Sequence, residues 1–412
     1  MNKYILTFLF LAIVSYCRSQ VGIIDSSEVK VIRIDPRQAF GKRVSEVFDH
    51  VQYTPLETTK ESSFGEISKL EFSENRLVIF DMDTWAIYIF DRSGKFINKI
   101  SEKQIGSLAN STQQNTRSAF NTFTVRKYNG KDVINVSLPN SIIRFDMDGQ
   151  YLSKIEMKNN IDYGYVLTQG KKVLNGYLDA AKNYYEFAVI GNKGDTTLYF
   201  PFDIMSYDID DLISGNRISY GKDFLNLLYS NYYSYDIFEI NSTKVSYKYK
   251  LILPGDISLP KDFITNKEYN QKRLPYLMKN KAVVYGLSNM HAIGNYLYIK
   301  FDSYNHLKTS RKNIAYHLKT NIPISLQDLT PDKLSYYLPI EDSSCGSNFM
   351  STGFIGFDGK NLYTSISSHC MKTFMHQNEQ KDVSYPKELN NMLGAKLHDQ
   401  NPILVILTPK AD

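Results

Sequence analysis

The stretch Leu77-Val78-Ile79-Phe80-Asp81, followed by Ala86-Ile87-Tyr88-Ile89-Phe90-Asp91, the turn Arg92-Ser93-Gly94 and Lys95-Phe96-Ile97-Asn98-Lys99-Ile100, decides the fold. Each run is short, rich in β-branched and aromatic residues, and bounded by Asp, Ser or Gly, which reads as three consecutive antiparallel strands. The unit returns as Val133-Ile134-Asn135-Val136, then Ile142-Ile143-Arg144-Phe145-Asp146, Met147-Asp148-Gly149 and Gln150 to Ile155. Gly149 stands at the turn position of Gly94, where a positive φ is cheap only for glycine. A recurring supersecondary unit of this length signals a repeat architecture.

Weaker copies follow outward along the chain. Tyr185 to Ile190 with Thr197 to Phe202 form a third, Ile237 to Ile240 with Lys244 to Leu253 a fourth, and Tyr296 to Lys300 with Ile314 to Leu318 a fifth. The sixth must be shared between the ends of the chain. Phe354 to Phe357, Asn361 to Ile366 and Ile403 to Leu407 supply three strands, and Val51 to Leu56 supplies the outer fourth. The expectation is an all-β, six-bladed β-propeller of four-stranded antiparallel blades, its last blade closed by N- and C-terminal strands, which leaves no open ring edge.

Composition agrees with that class. A chain of 412 residues with 42% apolar and 22% charged residues can bury a large core, and 31 Tyr and 23 Phe suit half-buried pleated surfaces. The net charge of +5 drops to +3 without Lys3 and Arg18, and no Lys/Arg run occurs, so nucleic acid is not an expected partner.

These residues resemble the six-bladed β-propeller family of Bacteroidota, relatives of NHL-type propellers. The resemblance spans roughly residues 29 to 410. It rests on Val44-Ser45-Glu46-Val47-Phe48 leading to Val51-Gln52-Tyr53-Thr54-Pro55-Leu56-Glu57-Thr58, on Phe90-Asp91-x-x-Gly94-Lys95-Phe96, and on Asn401-Pro402-Ile403-Leu404-Val405. The chain departs from the family after the first blade, where Gly106 to Arg117 is polar in place of a Gly-Pro-Gly-Glu-like segment. The resemblance implies an exported binding or accessory protein, in some members beside glycan-uptake genes, and transfers no catalytic residue.

Residues 1–19 read as a signal peptide: Lys3 precedes an apolar Tyr4 to Val14 too short to span a bilayer. Two processing routes compete. Cleavage near Ser19 or Gln20 fits the small residues there, while Val14-Ser15-Tyr16-Cys17 resembles a lipoprotein signal ending before Cys17, with Tyr16 where a small residue normally stands. The remainder, 20–412, is expected as a single propeller domain in the periplasm or at the cell surface, touching membrane only through a lipid anchor to the outer membrane if Cys17 is modified. Cys345 and Cys370 can pair in an oxidising compartment or stay as two buried thiols; spacing alone does not choose.

Alternating strand direction sorts the loops. The turns between first and second strands, and between third and fourth, share one face, and the remaining connections share the other. The first face has short turns. The second carries longer loops with Trp85, Tyr184, Tyr232, Tyr233, Tyr304, His306 and Arg311, beside Lys308 and Lys312, and a long sixth-blade excursion with a helix expected over Pro386 to Leu397. These aromatics form the candidate ligand site for an oligosaccharide or peptide, with Arg311 orienting polar groups. The competing account is that they cover loop bases and the charges are solvated.

Catalytic and metal signals are poor. Gly-x-x-x-x-Gly-Lys, Gly-x-Ser-x-Gly and His-Glu-x-x-His are all missing, and no cofactor is expected. His369, Cys370 and His376 match no familiar zinc spacing, and the two histidines read as loop residues. Asp81-x-Asp83 and Asp146-x-Asp148 lack the distal acidic ligands of a calcium loop and read as turn-stabilising side chains; Asp208, Asp210 and Asp211 form an acidic knot with two readings, a calcium site and, ahead of it, a solvated loop. Three functions remain open: a noncatalytic binding module, a propeller hydrolase or lyase with a polar axial site, and a scaffold for an envelope protein partner.

Overall fold

The computed structural model describes residues 20–109, 123–138, 141–156, 164–167, 170–179, 181–202, 217–305, 311–342, 348–393 and 400–411. The fold is a six-bladed β-propeller. Blade one pairs Lys69–Phe72, Arg76–Asp81, Ala86–Asp91 and Phe96–Ser101 in chain order, as the alternating apolar runs predict. Blade two repeats this with Thr124–Tyr128, Lys131–Leu138, Ser141–Phe145 and Tyr151–Glu156, and blade five with Val284–Ile293, Tyr296–Ser303, Asn313–His317 and Ile322–Ser325. Blade six takes Gly356–Phe357, Leu362–Ile366 and Ile403–Pro409 from one end of the chain and Phe48–Pro55 from the other, with Val405 opposite Tyr53.

Blades three and four exceed the expected four strands. Blade three comprises Gly164–Val166, Lys172–Leu178, Tyr184–Ile190 and Thr196–Phe202, and Gln20–Val21 adds a parallel strand to its outer edge. Blade four comprises Ile218–Tyr220, Asn226–Tyr229, Asp236–Asn241 and Val245–Ile252, and both Ile24–Asp25 and Lys30–Arg33 run parallel to its last strand. This strap satisfies edge amides that would otherwise invite pairing with another chain. It hugs the edge closely at Gly22, where a Cβ would stand 2.2 Å from the Tyr199 ring.

Two compact units divide the chain. The first holds blades three and four with the beginning of the described chain, and its core gathers Phe187, Tyr229, Phe238, Ile240 and Val245. The second holds blades one, two and six, with one core around Ile87, Ile89, Ile134 and Ile143 and another around Leu77, Phe90, Tyr363 and Leu404.

The repeated glycine of the short turns is explained by its neighbour. Gly94 has φ +89°, its carbonyl accepts the Glu57 amide at 2.8 Å, and a Cβ there would lie 2.3 Å from the Pro55 carbonyl oxygen. Gly149, at φ +77°, likewise sits against Asn98 of blade one, whose Nδ2 donates to the Asp148 carbonyl at 2.8 Å. The short turns of blades one and two thus each dock on the outer strand of the blade before.

Candidate functional site

The short-turn face is built by aspartates spent on their own backbone. Asp91 Oδ1 accepts from the amides of Ser93 (2.9 Å) and Lys95 (3.0 Å), and Asp146 Oδ1 from those of Asp148 (3.0 Å) and Gln150 (2.8 Å). On the loop-rich face, Asp81 likewise accepts from the amide and hydroxyl of Thr84 at 2.8 and 2.6 Å. These oxygens hold turns, as the sequence suggests. Among the described residues no cluster of three His, Cys, Asp or Glu side chains is arranged for a metal ion. Asp208, Asp210 and Asp211 lie outside the described residues.

On the loop-rich face, blades three and four bring two of the expected aromatics together. Tyr184 is the first residue of a strand, not a loop residue, because Leu178 and Phe202 pair with it on either side. Its ring meets Phe202 edge-on at 5.9 Å, and Phe202 lies 6.1 Å from Tyr232 in the blade-four loop. All three rings are half-buried. Phe202 was not singled out from sequence, since a strand-terminal Phe reads as core; only its strand partner reveals it.

Beneath Tyr232 lies a buried polar network. The Arg217 guanidinium carbon is 3.4 Å from the Tyr232 ring centre. Arg217 Nη1 donates to Glu186 Oε2 at 2.8 Å, to the Tyr229 hydroxyl at 2.9 Å and to the Ser230 carbonyl at 3.1 Å, and Tyr229 donates to Glu186. Arg217 and Glu186 are each only 5% exposed. Burial pushes the Glu186 carboxyl above its ordinary value, with Arg217 and Tyr229 holding it back. Burial, reinforced by the Glu186 charge, drives the Tyr229 phenol well up. None of these three residues stands out in sequence, because buried charge is invisible without the partner strands.

A second buried group sits beside it. Met290 N donates to Ser219 Oγ at 3.1 Å and His291 Nδ1 meets the Tyr220 carbonyl at 3.3 Å, each across 71 residues, which sets the first strand of blade five alongside that of blade four. Ser288 Oγ donates to Asp302 Oδ1 at 3.0 Å, and the Lys300 ammonium contacts the same oxygen. Asp302 Oδ2 is buried without a hydrogen-bonding partner among the described residues. Lys312 donates to the Ser303 carbonyl at 2.8 Å, and burial, with the nearby Lys300 charge, pushes its amine down to about 8.

The other expected site residues are placed differently. Tyr233 is 6% exposed, with its ring edge-on to Phe263 at 5.2 Å, so it packs the core beneath its loop and does not face a ligand. Tyr304 pairs with Tyr285 at 5.4 Å and joins the same aromatic cluster. Trp85 packs against Phe80 at 5.9 Å, and its φ of +49° is the turn's requirement, shared in kind by Lys182 and Tyr233 in the corresponding loops. Arg311 Nη1 donates to the Arg37 carbonyl at 2.8 Å and so clasps the chain that follows the strap. His306 lies outside the described residues, as do Lys308, Cys17 and Cys345. Cys370 is buried and disulfide-bonded.

His369 and His376 are helical, correcting their reading as loop residues. Ser367 caps the helix Ser368–Gln377 by accepting the Cys370 amide, and Cys370, Met371 and Met375 bury its inner face. His376 is exposed and meets Glu379 at 2.6 Å. The helix expected over Pro386 to Leu397 is present as Lys387–Leu393, and residues 394–399 lie outside the described residues.

Comparison with known proteins bears on fold more than on chemistry. No curated protein matches the sequence. A protein of Bacteroides fragilis NCTC 9343, assigned as exported, is similar in structure, with a TM-score of 0.58 at 14% identity over 92% of this chain and 100% of that one. A DUF4221 family member from Bacteroides vulgatus aligns with a TM-score of 0.44 at 12% identity over 88% of this chain and 97% of that one. The model of the family described as "Domain of unknown function (DUF4934)" matches residues 31–408, and the chain belongs to that family.

Proposed function

We propose that this protein is an exported, noncatalytic binding propeller of the bacterial envelope that takes an oligosaccharide or a peptide on its loop-rich face. The observation that carries this reading is the row of half-buried rings Tyr184, Phe202 and Tyr232, with Tyr232 backed by the Arg217 guanidinium. Stacking on planar ligand groups needs rings held in place beforehand, and a buried ion pair under one ring supplies that order without using the ring's outer face. The apolar leader that opens the chain, by either processing route, and the similar Bacteroides fragilis protein assigned as exported support passage across the inner membrane.

A glycan array followed by titration of any captured glycan tests the site. Tyr232→Ala and Phe202→Ala should each weaken the interaction at least tenfold, while Trp85→Ala leaves it unchanged. Equal affinity in all three variants would remove the site. A hydrolase or lyase reading draws on Lys300, Asp302 and Lys312, which among the described residues include a buried carboxylate oxygen, Asp302 Oδ2, without a hydrogen-bonding partner. Turnover of a captured glycan, abolished by Asp302→Asn, would select it over simple binding.

A further inference from the structure

The strap enters the fold on one side only. Gln20 and Val21 pair with Thr197 and Leu198, immediately after the short turn 191–195 of blade three, and Ile24 and Asp25 pair with Val245 and Ser246, immediately after the short turn 241–244 of blade four. Only then does the chain rise along blade four, with Lys30 to Arg33 opposite Tyr249 to Ile252. The described chain therefore begins on the short-turn face, opposite the loops that carry Tyr232. Large apolar side chains are exposed on this face: at the entry Ile23 is 87% and Val21 59% exposed, and Leu225, in the first short turn of blade four, is 55% exposed.

Cys17 lies three residues before Gln20. An extended chain gains at most about 3.5 Å per residue, so a lipid attached to Cys17 would be held within roughly 10 Å of Gln20. No linker separates such an anchor from the first paired strand. We propose that the short-turn face of blades three and four rests on a phospholipid surface, with Val21 and Ile23 dipping into it beside an acylated Cys17, so that the Tyr184, Phe202 and Tyr232 face points away from the membrane. This rests on the lipid-anchored route for the leader and is independent of what the aromatic face binds.

The attraction is apolar. Val21, Ile23 and Leu225 carry the contact, and Lys244 beside the strap is already bonded to Asp25. Contact should therefore need no anionic lipid and resist salt, whereas an electrostatic contact would weaken as salt rises.

The test uses the full chain expressed with its leader in a bacterium that processes it. Incorporation of an alkyne-palmitate label at Cys17, lost in Cys17→Ser, reads the anchor. The purified protein is then reconstituted on phosphatidylcholine–phosphatidylethanolamine vesicles with an environment-sensitive fluorophore at Ile23→Cys or at Lys182→Cys, an exposed loop-rich position. The expected result is a blue-shifted, several-fold brighter probe at position 23, unchanged by 0.5 M salt on the order used to screen surface charge, and an aqueous probe at position 182. Palmitate absent from Cys17 overturns the anchored route. Palmitate present with an aqueous probe at 23, or with equal shifts at both positions, overturns the orientation alone.

Discussion

Arg217 is stacked under Tyr232, its guanidinium carbon 3.4 Å from the ring centre, while the same guanidinium is hydrogen-bonded to Glu186 at 2.8 Å. A strand of blade three therefore fixes, through one buried charge, the pose of a loop ring in blade four. Tyr232→Phe should keep both the stack and the affinity for any ligand found, while Tyr232→Ala loses the platform; isothermal titration of the two variants distinguishes ring from hydroxyl.

Glu186 and Arg217 are both nearly inaccessible, so removing one strands the other. Glu186→Ala should cost about 3–5 kcal/mol in urea unfolding. Glu186→Gln retains an acceptor for Arg217 and Tyr229 and should cost less. Equal losses would mean that the charge, rather than the hydrogen-bonding, holds the network.

His291 gives the molecule an acid-sensitive element. Burial pushes its imidazole down to about 4 from an ordinary 6.5, opposed by its contact with the Tyr220 carbonyl. A base with a depressed folded pKa is protonated first in the unfolded chain, so its contribution is intact above pH 6.5 and is lost as pH falls toward 4. The loss is at most about 3 kcal/mol. Urea unfolding between those limits should show a flatter pH profile for His291→Gln than for the wild type.

Asn401 ties the closing blade to the chain that follows its outer strand. Its Oδ1 accepts the Phe64 amide at 2.9 Å, and its Nδ2 donates to the carbonyls of Glu57 (2.9 Å) and Ser62 (2.8 Å). Asn401→Ala leaves the Phe64 amide and the Ser62 carbonyl without this partner, while the Glu57 carbonyl keeps the Ser62 hydroxyl at 2.7 Å, and should cost about 2–4 kcal/mol, at roughly 1–3 kcal/mol per orphaned group with partial relaxation. Gly94→Ala should also destabilise, through its positive φ and the Pro55 carbonyl, and thermal melts of both variants check this.

The partner of Cys370 is expected to be Cys345. Peptide mapping of unreduced protein should recover the two in one linked fragment, and Cys345→Ser should release a free thiol at Cys370; a linkage from Cys370 to any other thiol would refute the assignment.

Strand identity was legible in residues 77–100 because period-two alternation, Asp at strand ends and glycine at the turn all agree locally. Closure was legible too, since Val51 to Leu56 and Ile403 to Leu407 are apolar strands with no sequence neighbour to complete their sheets. Both follow from local backbone preference and from the need to pair every edge. The site was legible only in part. Tyr184 and Tyr232 were named from loop position, yet Tyr233, one residue on, points into the core, because a loop residue's direction depends on what packs beneath it. The strap and the Glu186, Arg217 and Tyr229 network were decided by tertiary structure alone. A short polar-apolar segment acquires a partner, and a charge becomes affordable in the interior, only when residues distant in sequence supply the edge or the counter-charge.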